Sequence, residues 1–163
     1  MLSKKVLEAI DEQIKNEFYS AYLYLSMESW FEVRNLKGFA KWMRTQFEEE
    51  QKHGLKFYEY VHDRGAQVTL LPLPQPKREW KSNLELFEEV LAHERAVTKS
   101  VHRLYELALA EKDYATQSML KWFIDEQVEE EKNATEIVDD LKLIDARGTA
   151  VLMLAHRLGK RDA

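Results

Sequence analysis

The amino-acid sequence predicts an all-α protein, a four-helix bundle with one long crossover and a short fifth helix. Apolar residues recur along four long segments at alternating steps of three and four residues, the spacing of a buried seam between packed helices. Short turns join these segments in pairs. The connection between the pairs, from about Ala66 to Lys81, is long and contains all three prolines. Together these features predict two antiparallel hairpins joined by a crossover.

The first hairpin contains the first two helices. Ser3 is a suitable N-cap, and the first helix is predicted to run to about Val33. After a short turn at Asn35 to Gly38, the second helix is predicted from about Phe39 to Arg64. It stops at Gly65, and glycine is the residue that most often follows the last turn of a helix.

The second hairpin follows the crossover. Ser82 and Glu85 have the spacing of a capping box, which predicts the start of a third helix that continues to about Glu111. Asp113 can cap a fourth helix that ends near Ile144.

The end of the chain predicts a separate short helix. The segment from Asp145 to Gly148 breaks the helical pattern, and an apolar helix from about Ala150 to Leu158 is expected to end at Gly159. We expect residues 1–163 to form one domain, with the bundle at about 3–144 and the fifth helix at about 150–158.

The crossover is long enough to return the chain along the whole bundle. The predicted helices are about 40–45 Å long, whereas the crossover could span about 55 Å when extended. The second and third helices would then be parallel. The alternative is a pair of separate hairpins that associate only between chains.

The composition excludes several classes of function. The net charge is −5, and nucleic-acid binding requires a basic surface, so no nucleic-acid partner is expected. The absence of cysteine excludes disulfides, thiolate metal sites and cysteine catalysis, which leaves oxygen and imidazole as metal ligands. Because the sequence contains no long uninterrupted apolar run, we predict neither a membrane span nor a signal peptide, and we expect a cytoplasmic protein.

Polar residues interrupt each of the four seams near its middle. The first seam carries Glu17, the second Glu50 and His53, the third Glu94, and the fourth Gln127 and Glu130. Within each hairpin these residues lie at similar distances from the turn, so their side chains are predicted to meet midway along the bundle. A buried carboxylate must be neutralised, paired or bound to a cation. Inward-facing carboxylates with one histidine and one glutamine therefore indicate a metal site.

The spacing of these residues predicts two neighbouring metal positions. Residues three apart on a helix share a face, so Glu50 and His53 can bind one ion, with Glu17 from the neighbouring helix. Glu94 and Glu130, with Gln127 nearby, would form a second site, and Glu50 can bridge the two ions. Carboxylate and imidazole ligands suit iron, manganese or zinc. Such a centre could bind two ferrous ions and let dioxygen oxidise them jointly.

Several residues beside the seams have two interpretations. Glu49, Glu126 and Glu129 are either a charged helix edge or a third cation site. Tyr24 is either a core aromatic residue whose hydroxyl needs a partner or an electron donor near the metals. Other aromatic and histidine residues have simpler predictions: Trp122 is expected to pack, His93 to support the centre indirectly or to be solvated, and His62, His102 and His156 to lie on the surface.

Three segments resemble the non-haem ferritins of bacteria and archaea, and the resemblance extends over essentially the whole chain. They are residues 17–24 (EFYSAYLY), 48–53 (EEEQKH) and 122–132 (WFIDEQVEEEK). The resemblance implies a ferritin-like fold and an iron-storage protein with ferroxidase activity, which oxidises Fe(II) at a non-haem di-iron centre with dioxygen or hydrogen peroxide. The product is Fe(III), stored as a mineral inside a 24-subunit homo-oligomeric cage.

The resemblance also implies roles for individual residues. It implies a first iron site of Glu17, Glu50 and His53, a second of Glu50, Glu94, Glu130 and Gln127, and a third of Glu49, Glu126, Glu129 and Glu130. Tyr24 and Trp122 match aromatic residues near the family's centre. Gln51 stands where the related bacterioferritins have a haem-ligating methionine, so no haem is predicted.

Two other functions are compatible with such a bundle. A di-iron peroxidase of the rubrerythrin type usually adds a cysteine-ligated module, for which this chain has no cysteine. A catalytically silent cage subunit would lack the centre's ligands, which are present here. The fifth helix and the apolar crossover residues Val68, Leu70, Leu71 and Leu73 have no obvious place in a bundle core, so we expect them at contacts between subunits.

Overall fold

A computed structural model describes residues 2–144 and 148–161, and that part of the chain forms five α-helices. They are α1 (Lys4–Glu32), α2 (Lys37–Asp63), α3 (Asn83–Ala110), α4 (Tyr114–Ile144) and α5 (Gly148–Leu158). The all-α prediction is confirmed, and the observed ends lie close to the predicted ones. Of the predicted break at Asp145 to Gly148, residues 145–147 lie outside the described part, and Gly148 already belongs to α5.

The predicted N-caps form where the sequence placed them. Ser3 Oγ accepts the Val6 N–H at 3.3 Å, and Ser82 Oγ accepts the Glu85 N–H at 3.0 Å. The capping box closes one residue early, because the Glu85 carboxylate accepts the N–H of Lys81 at 2.7 Å rather than that of Ser82. These bonds satisfy backbone donors that have no partner within the helix.

Contacts between the helices establish the predicted topology. The contacts Glu28–Arg44 and Glu17–His53 show that α1 runs antiparallel to α2. The contacts Ala108–Gln117 and Glu88–Lys142 show the same for α3 and α4. Hydrogen bonds from Asn16 to Ser100 and from Tyr24 to Glu94 make α1 antiparallel to α3, so α2 and α3 are parallel. The two hairpins therefore pack against each other within one chain, and the alternative of hairpins that associate only between chains is wrong.

The apolar core consists of two clusters with a polar layer between them. One cluster contains Phe31, Phe39 and Phe87, at the end of the bundle where α1 turns into α2. The other contains Phe57 and Phe123, whose rings stack 4.0 Å apart between α2 and α4. The polar residues of the four seams lie between these clusters, so they are surrounded by packed apolar side chains above and below.

Helix α5 packs on the bundle of its own chain. Val151, Leu154 and Ala155 are buried and join the first apolar cluster. The approach to α2 is close at Gly38, where an added Cβ would lie 1.7 Å from the carbonyl oxygen of Ala155. The expectation that the fifth helix has no place in the core of its own bundle is therefore wrong for this face.

The opposite face of α5 and part of the crossover remain exposed. Leu152 and Met153 are 59% and 70% exposed, and Leu70 in the crossover is 68% exposed. Val68 instead packs against the second apolar cluster, so the expectation that the crossover's apolar residues have no place in the core is wrong for Val68. No helix within residues 2–144 and 148–161 has both the length and the apolar character that a membrane crossing requires.

Candidate metal centre

The six polar seam residues are all buried midway along the bundle. Their side chains are between 0% and 4% exposed, and they are Glu17, Glu50, His53, Glu94, Gln127 and Glu130. Each lies on the face that the helical period assigns to the core, which confirms the predicted burial. Such a concentration of carboxylates in a protein interior requires a compensating cation or bound protons.

Glu17, Glu50 and His53 form the tightest part of the centre. Each has a ligand atom within 4.8 Å of those of the other two, and no other such trio of histidine or carboxylate side chains occurs in the described ranges. His53 Nδ1 lies 3.3 Å from Glu50 Oε2 and 3.9 Å from Glu17 Oε2. The structure thus brings together the three residues of the first predicted site, one imidazole and two carboxylates.

The Glu50 carboxylate carries the clearest sign of a missing ligand. Its Oε2 atom is buried and has no hydrogen-bond partner. Buried polar atoms are nearly always hydrogen-bonded, and leaving one unpaired costs about 1–3 kcal/mol. A divalent cation between Glu50 and His53 would satisfy this oxygen, and carboxylate with imidazole is a donor set that suits iron.

The second half of the centre is held by hydrogen bonds within the protein. Glu94 accepts hydrogen bonds from the Tyr24 hydroxyl and, at 3.2 Å, from Gln127 Nε2. Glu130 Oε2 accepts one from Gln46 Nε2 at 3.0 Å. The residues of the second predicted site thus lie in one layer, but their oxygens are not gathered as closely as those around His53.

Burial keeps protons on these carboxyl groups when no cation is bound. Desolvation, together with the charge of Glu130, raises the pKa of Glu94 from 4.5 to about 8. Burial likewise raises the pKa of Glu130 to about 7, although the hydrogen bond from Gln46 opposes the shift. The pKa of Glu50 rises well above its usual value because of burial and the nearby charge of Glu94.

Tyr24 lies fully inside the centre. Its side chain is 0% exposed, and its hydroxyl donates to Glu94 Oε1. Burial, and then the charges of Glu94 and Glu50, raise the pKa of Tyr24 well above its usual value, so the phenol stays protonated and remains a donor. These contacts match the interpretation of Tyr24 as a core aromatic residue whose hydroxyl has a hydrogen-bond partner.

The residues of the possible third site lie at the edge of the centre. Glu49 and Glu126 are half-buried, whereas Glu129 is exposed. His53 Nε2 lies 3.9 Å from Glu126 Oε1, so the imidazole lies between the first site and this edge. Glu49 is paired with Arg161, whose Nη2 lies 2.7 Å from Glu49 Oε2.

His93 and Trp122 lie beside the centre: Trp122 packs, as expected, and His93 is buried rather than solvated. His93 Nε2 is hydrogen-bonded to Ser20 Oγ at 2.7 Å, and burial lowers the pKa of His93 to about 4, so the ring is neutral. Trp122 packs edge-on against His53 with ring centroids 5.4 Å apart, and it is 40% exposed. Neither His93 nor Trp122 belongs to the trio of Glu17, Glu50 and His53.

Sequence reasoning missed three residues that contact the centre. Gln13 donates to Glu17 Oε1 at 2.7 Å, Gln46 donates to Glu130, and Arg161 donates to Gln46 and Glu49. The glutamines carry a sequence signal, because each lies four residues before a seam glutamate and so shares its helix face. Arg161 carries none, because its position depends on how α5 docks.

This fold and this buried site define a class of protein, and comparisons with known proteins agree on it. The family described as Ferritin-like domain matches residues 7–144. The chain therefore belongs to the ferritin family, as the sequence motifs predicted, and its function is the storage of iron.

The individual relatives are ferritins over nearly their full length. The bacterial non-heme ferritin of Staphylococcus saprophyticus is 40% identical over 162 residues, which cover 99% of this chain and 97% of the relative. That of Staphylococcus haemolyticus is 43% identical over 144 residues, 88% of this chain and 87% of the relative. An open pore ferritin from the archaeon Archaeoglobus fulgidus superposes with a TM-score of 0.98 at 47% identity, covering 99% of both chains.

Proposed function

We propose that this chain oxidises Fe(II) at a di-iron centre and passes Fe(III) to a stored mineral. One observation carries the proposal. The buried and unpaired Glu50 Oε2 lies next to His53 Nδ1, in a group with Glu17 that lies between two apolar clusters. Membership of the ferritin family supports iron oxidation as the general activity.

Each residue of the centre has a proposed role. Glu17, Glu50 and His53 bind the first iron, and Glu50 bridges to a second iron held by Glu94 and Glu130. Gln127 and Tyr24 are proposed to orient Glu94 through the hydrogen bonds that they donate to it. The second position would have no imidazole ligand, and its carboxylates are gathered less closely, which favours looser binding of that ion.

The proposed reaction balances in electrons and protons. Two Fe(II) ions each lose one electron, and dioxygen takes up the pair with two protons to become hydrogen peroxide, which can itself accept a further pair and form water. Glu94 and Glu130 hold protons near neutral pH because their pKa values are raised. Binding of iron displaces those protons inside the centre, where reduction of the oxidant consumes protons.

We further propose that the chain acts as one domain in a homo-oligomeric cage of 24 subunits in the cytoplasm, with no haem and no nucleic-acid or membrane partner. The exposed apolar face of α5 and the exposed leucines of the crossover support an interface between copies. Glu49, Glu126, Glu129 and Glu130 are proposed as a third iron site.

The test is substitution of His53 by alanine, with His102→Ala as control. His102 is an exposed histidine on α3, so its loss leaves the centre intact. Loss of an imidazole ligand should slow aerobic Fe(II) oxidation in a stopped-flow assay by about tenfold or more, while circular dichroism shows unchanged helicity. If His53→Ala oxidises Fe(II) at the wild-type rate, the centre is assigned to the wrong residues.

A further inference from the structure

Arg161, which follows α5, reaches back to the edge of the metal centre. Its Nη2 donates to Glu49 Oε2 at 2.7 Å, and its Nη1 donates to the carbonyl oxygen of the Gln46 side chain. The guanidinium also lies 5.4 Å from the ring centroid of Trp42, which adds a cation–π contact. Three side chains of α2 therefore fix the position of one arginine.

The bond to Gln46 extends the influence of Arg161 to Glu130. Because the Gln46 carbonyl oxygen accepts from Arg161, the amide nitrogen must point the other way, where it donates to Glu130 Oε2 at 3.0 Å. Glu130 is the carboxylate that the second and third proposed sites share. Arg161 thus pairs with one carboxylate of the third site and, through Gln46, positions another.

Arg161 also borders an open cleft on the surface of the bundle. This cleft of about 850 Å³ beside α4 and the end of α5 is lined by Trp42, Glu129 and Arg161 among others. Glu49 is not part of this lining, whereas Arg161 lines the cleft and also pairs with Glu49. A cation that binds Glu49 Oε2 must replace the guanidinium at that oxygen.

We propose that Arg161 is the residue that decides whether this chain can use a third metal ion among Glu49, Glu126, Glu129 and Glu130, because its guanidinium is the cation already paired with Glu49 and is linked through Gln46 to Glu130. An arginine remains charged at all relevant pH values, so it cannot make room by losing its proton. Two cations a few ångströms apart repel each other, so a third ion binds only when Arg161 moves away. The inference rests on the proposed function, since the third site is part of it.

The test is anaerobic titration of the full chain with Co(II), followed by calorimetry and by the visible absorption of bound Co(II). In wild type we expect binding at the His53 centre and only weak binding beyond it. Arg161→Gln should bind one further Co(II) per chain. Its affinity for that ion should be about tenfold or more higher than the affinity of wild type, and a tenfold change corresponds to about 1.4 kcal/mol.

Two variants make the test specific. Lys160→Gln removes the same charge from the neighbouring residue, which also lines the cleft, and it should behave as wild type. Adding Glu49→Gln to Arg161→Gln should remove the extra ion again, because the carboxylate that the arginine released is then absent.

The outcomes separate this inference from the proposed function. If wild type binds the additional ion as tightly as Arg161→Gln, or if Lys160→Gln gains it equally, the inference is overturned while binding at the His53 centre remains intact. If Arg161→Gln gains no ion although the His53 centre fills, the inference is also overturned. If no Co(II) binds near His53 in wild type, the proposed function itself has failed.

Discussion

Substitution of Glu94 by glutamine should make the metal-free protein more stable above neutral pH. Glu94 is 0% exposed, and burial with the charge of Glu130 raises its pKa from 4.5 to about 8. An acid whose pKa is higher in the folded than in the unfolded chain binds more protons when folded, so stability falls as pH rises from about 4.5 to about 8. Glutamine has no proton to lose, and the variant escapes this loss.

The size of the effect follows from the pKa shift and the hydrogen bonds. Each pKa unit corresponds to about 1.4 kcal/mol, so at pH 8.5 the ionisation of Glu94 costs the folded wild type several kcal/mol. The oxygen of a glutamine at this position can still accept from Tyr24, but its NH2 group would face the NH2 group of Gln127, and two donors cannot bond each other. Loss of the hydrogen bond from Gln127 costs about 1 kcal/mol. We expect a net gain of roughly 3–4 kcal/mol, or about 6–16 °C in melting temperature, which disappears at pH 5.

The assay is thermal melting of chelator-treated protein at pH 5, 7 and 8.5. Glu106→Gln is the matched control, because Glu106 is an exposed glutamate on the same helix. The same melts with added Co(II) should show less metal stabilisation in Glu94→Gln than in wild type, since a ligand is lost. A metal-free Glu94→Gln protein that is less stable than wild type at pH 8.5, or a difference that does not change with pH, would refute the reasoning.

Three further outcomes are expected from the same geometry. Gly38→Ala should lower the melting temperature by the equivalent of about 1–3 kcal/mol, because the new Cβ would overlap the backbone of α5. Gly148→Ala is the control, since its new methyl group meets open space and should leave the melting temperature unchanged. Equal melting temperatures of the two variants would contradict the packing of α5. Tyr24→Phe removes the hydrogen bond to Glu94 and should weaken Co(II) binding by several-fold in calorimetric titration, so unchanged affinity would argue against its orienting role. Co(II) binding should release more protons at pH 6 than at pH 9, because Glu94 and Glu130 are still protonated at pH 6. Calorimetry in buffers of different ionisation enthalpy measures this release. Equal release at the two pH values would contradict the raised pKa values.

The faces of the helices were predictable from local information. A helical period places residues three and four apart on one side, so the seams through Glu17, Glu50, Glu94 and Glu130 could be read directly from spacing. The same spacing places Gln13 four residues before Glu17, on the same face of α1. Helix starts at Ser3 and Ser82 were also local, because a cap involves residues only three apart.

The sequence by itself therefore determined the all-α class, the helix ends, the crossover and the burial of the polar layer, since each depends on residues near one another in the chain. Only the tertiary structure decided which partner each polar group has. The docking of α5 depends on the fit between Gly38 and Ala155, and that fit brings Arg161 to Glu49, 112 residues earlier in the chain. No periodicity within a helix encodes such a contact, because it arises from the packing of elements that are distant in sequence.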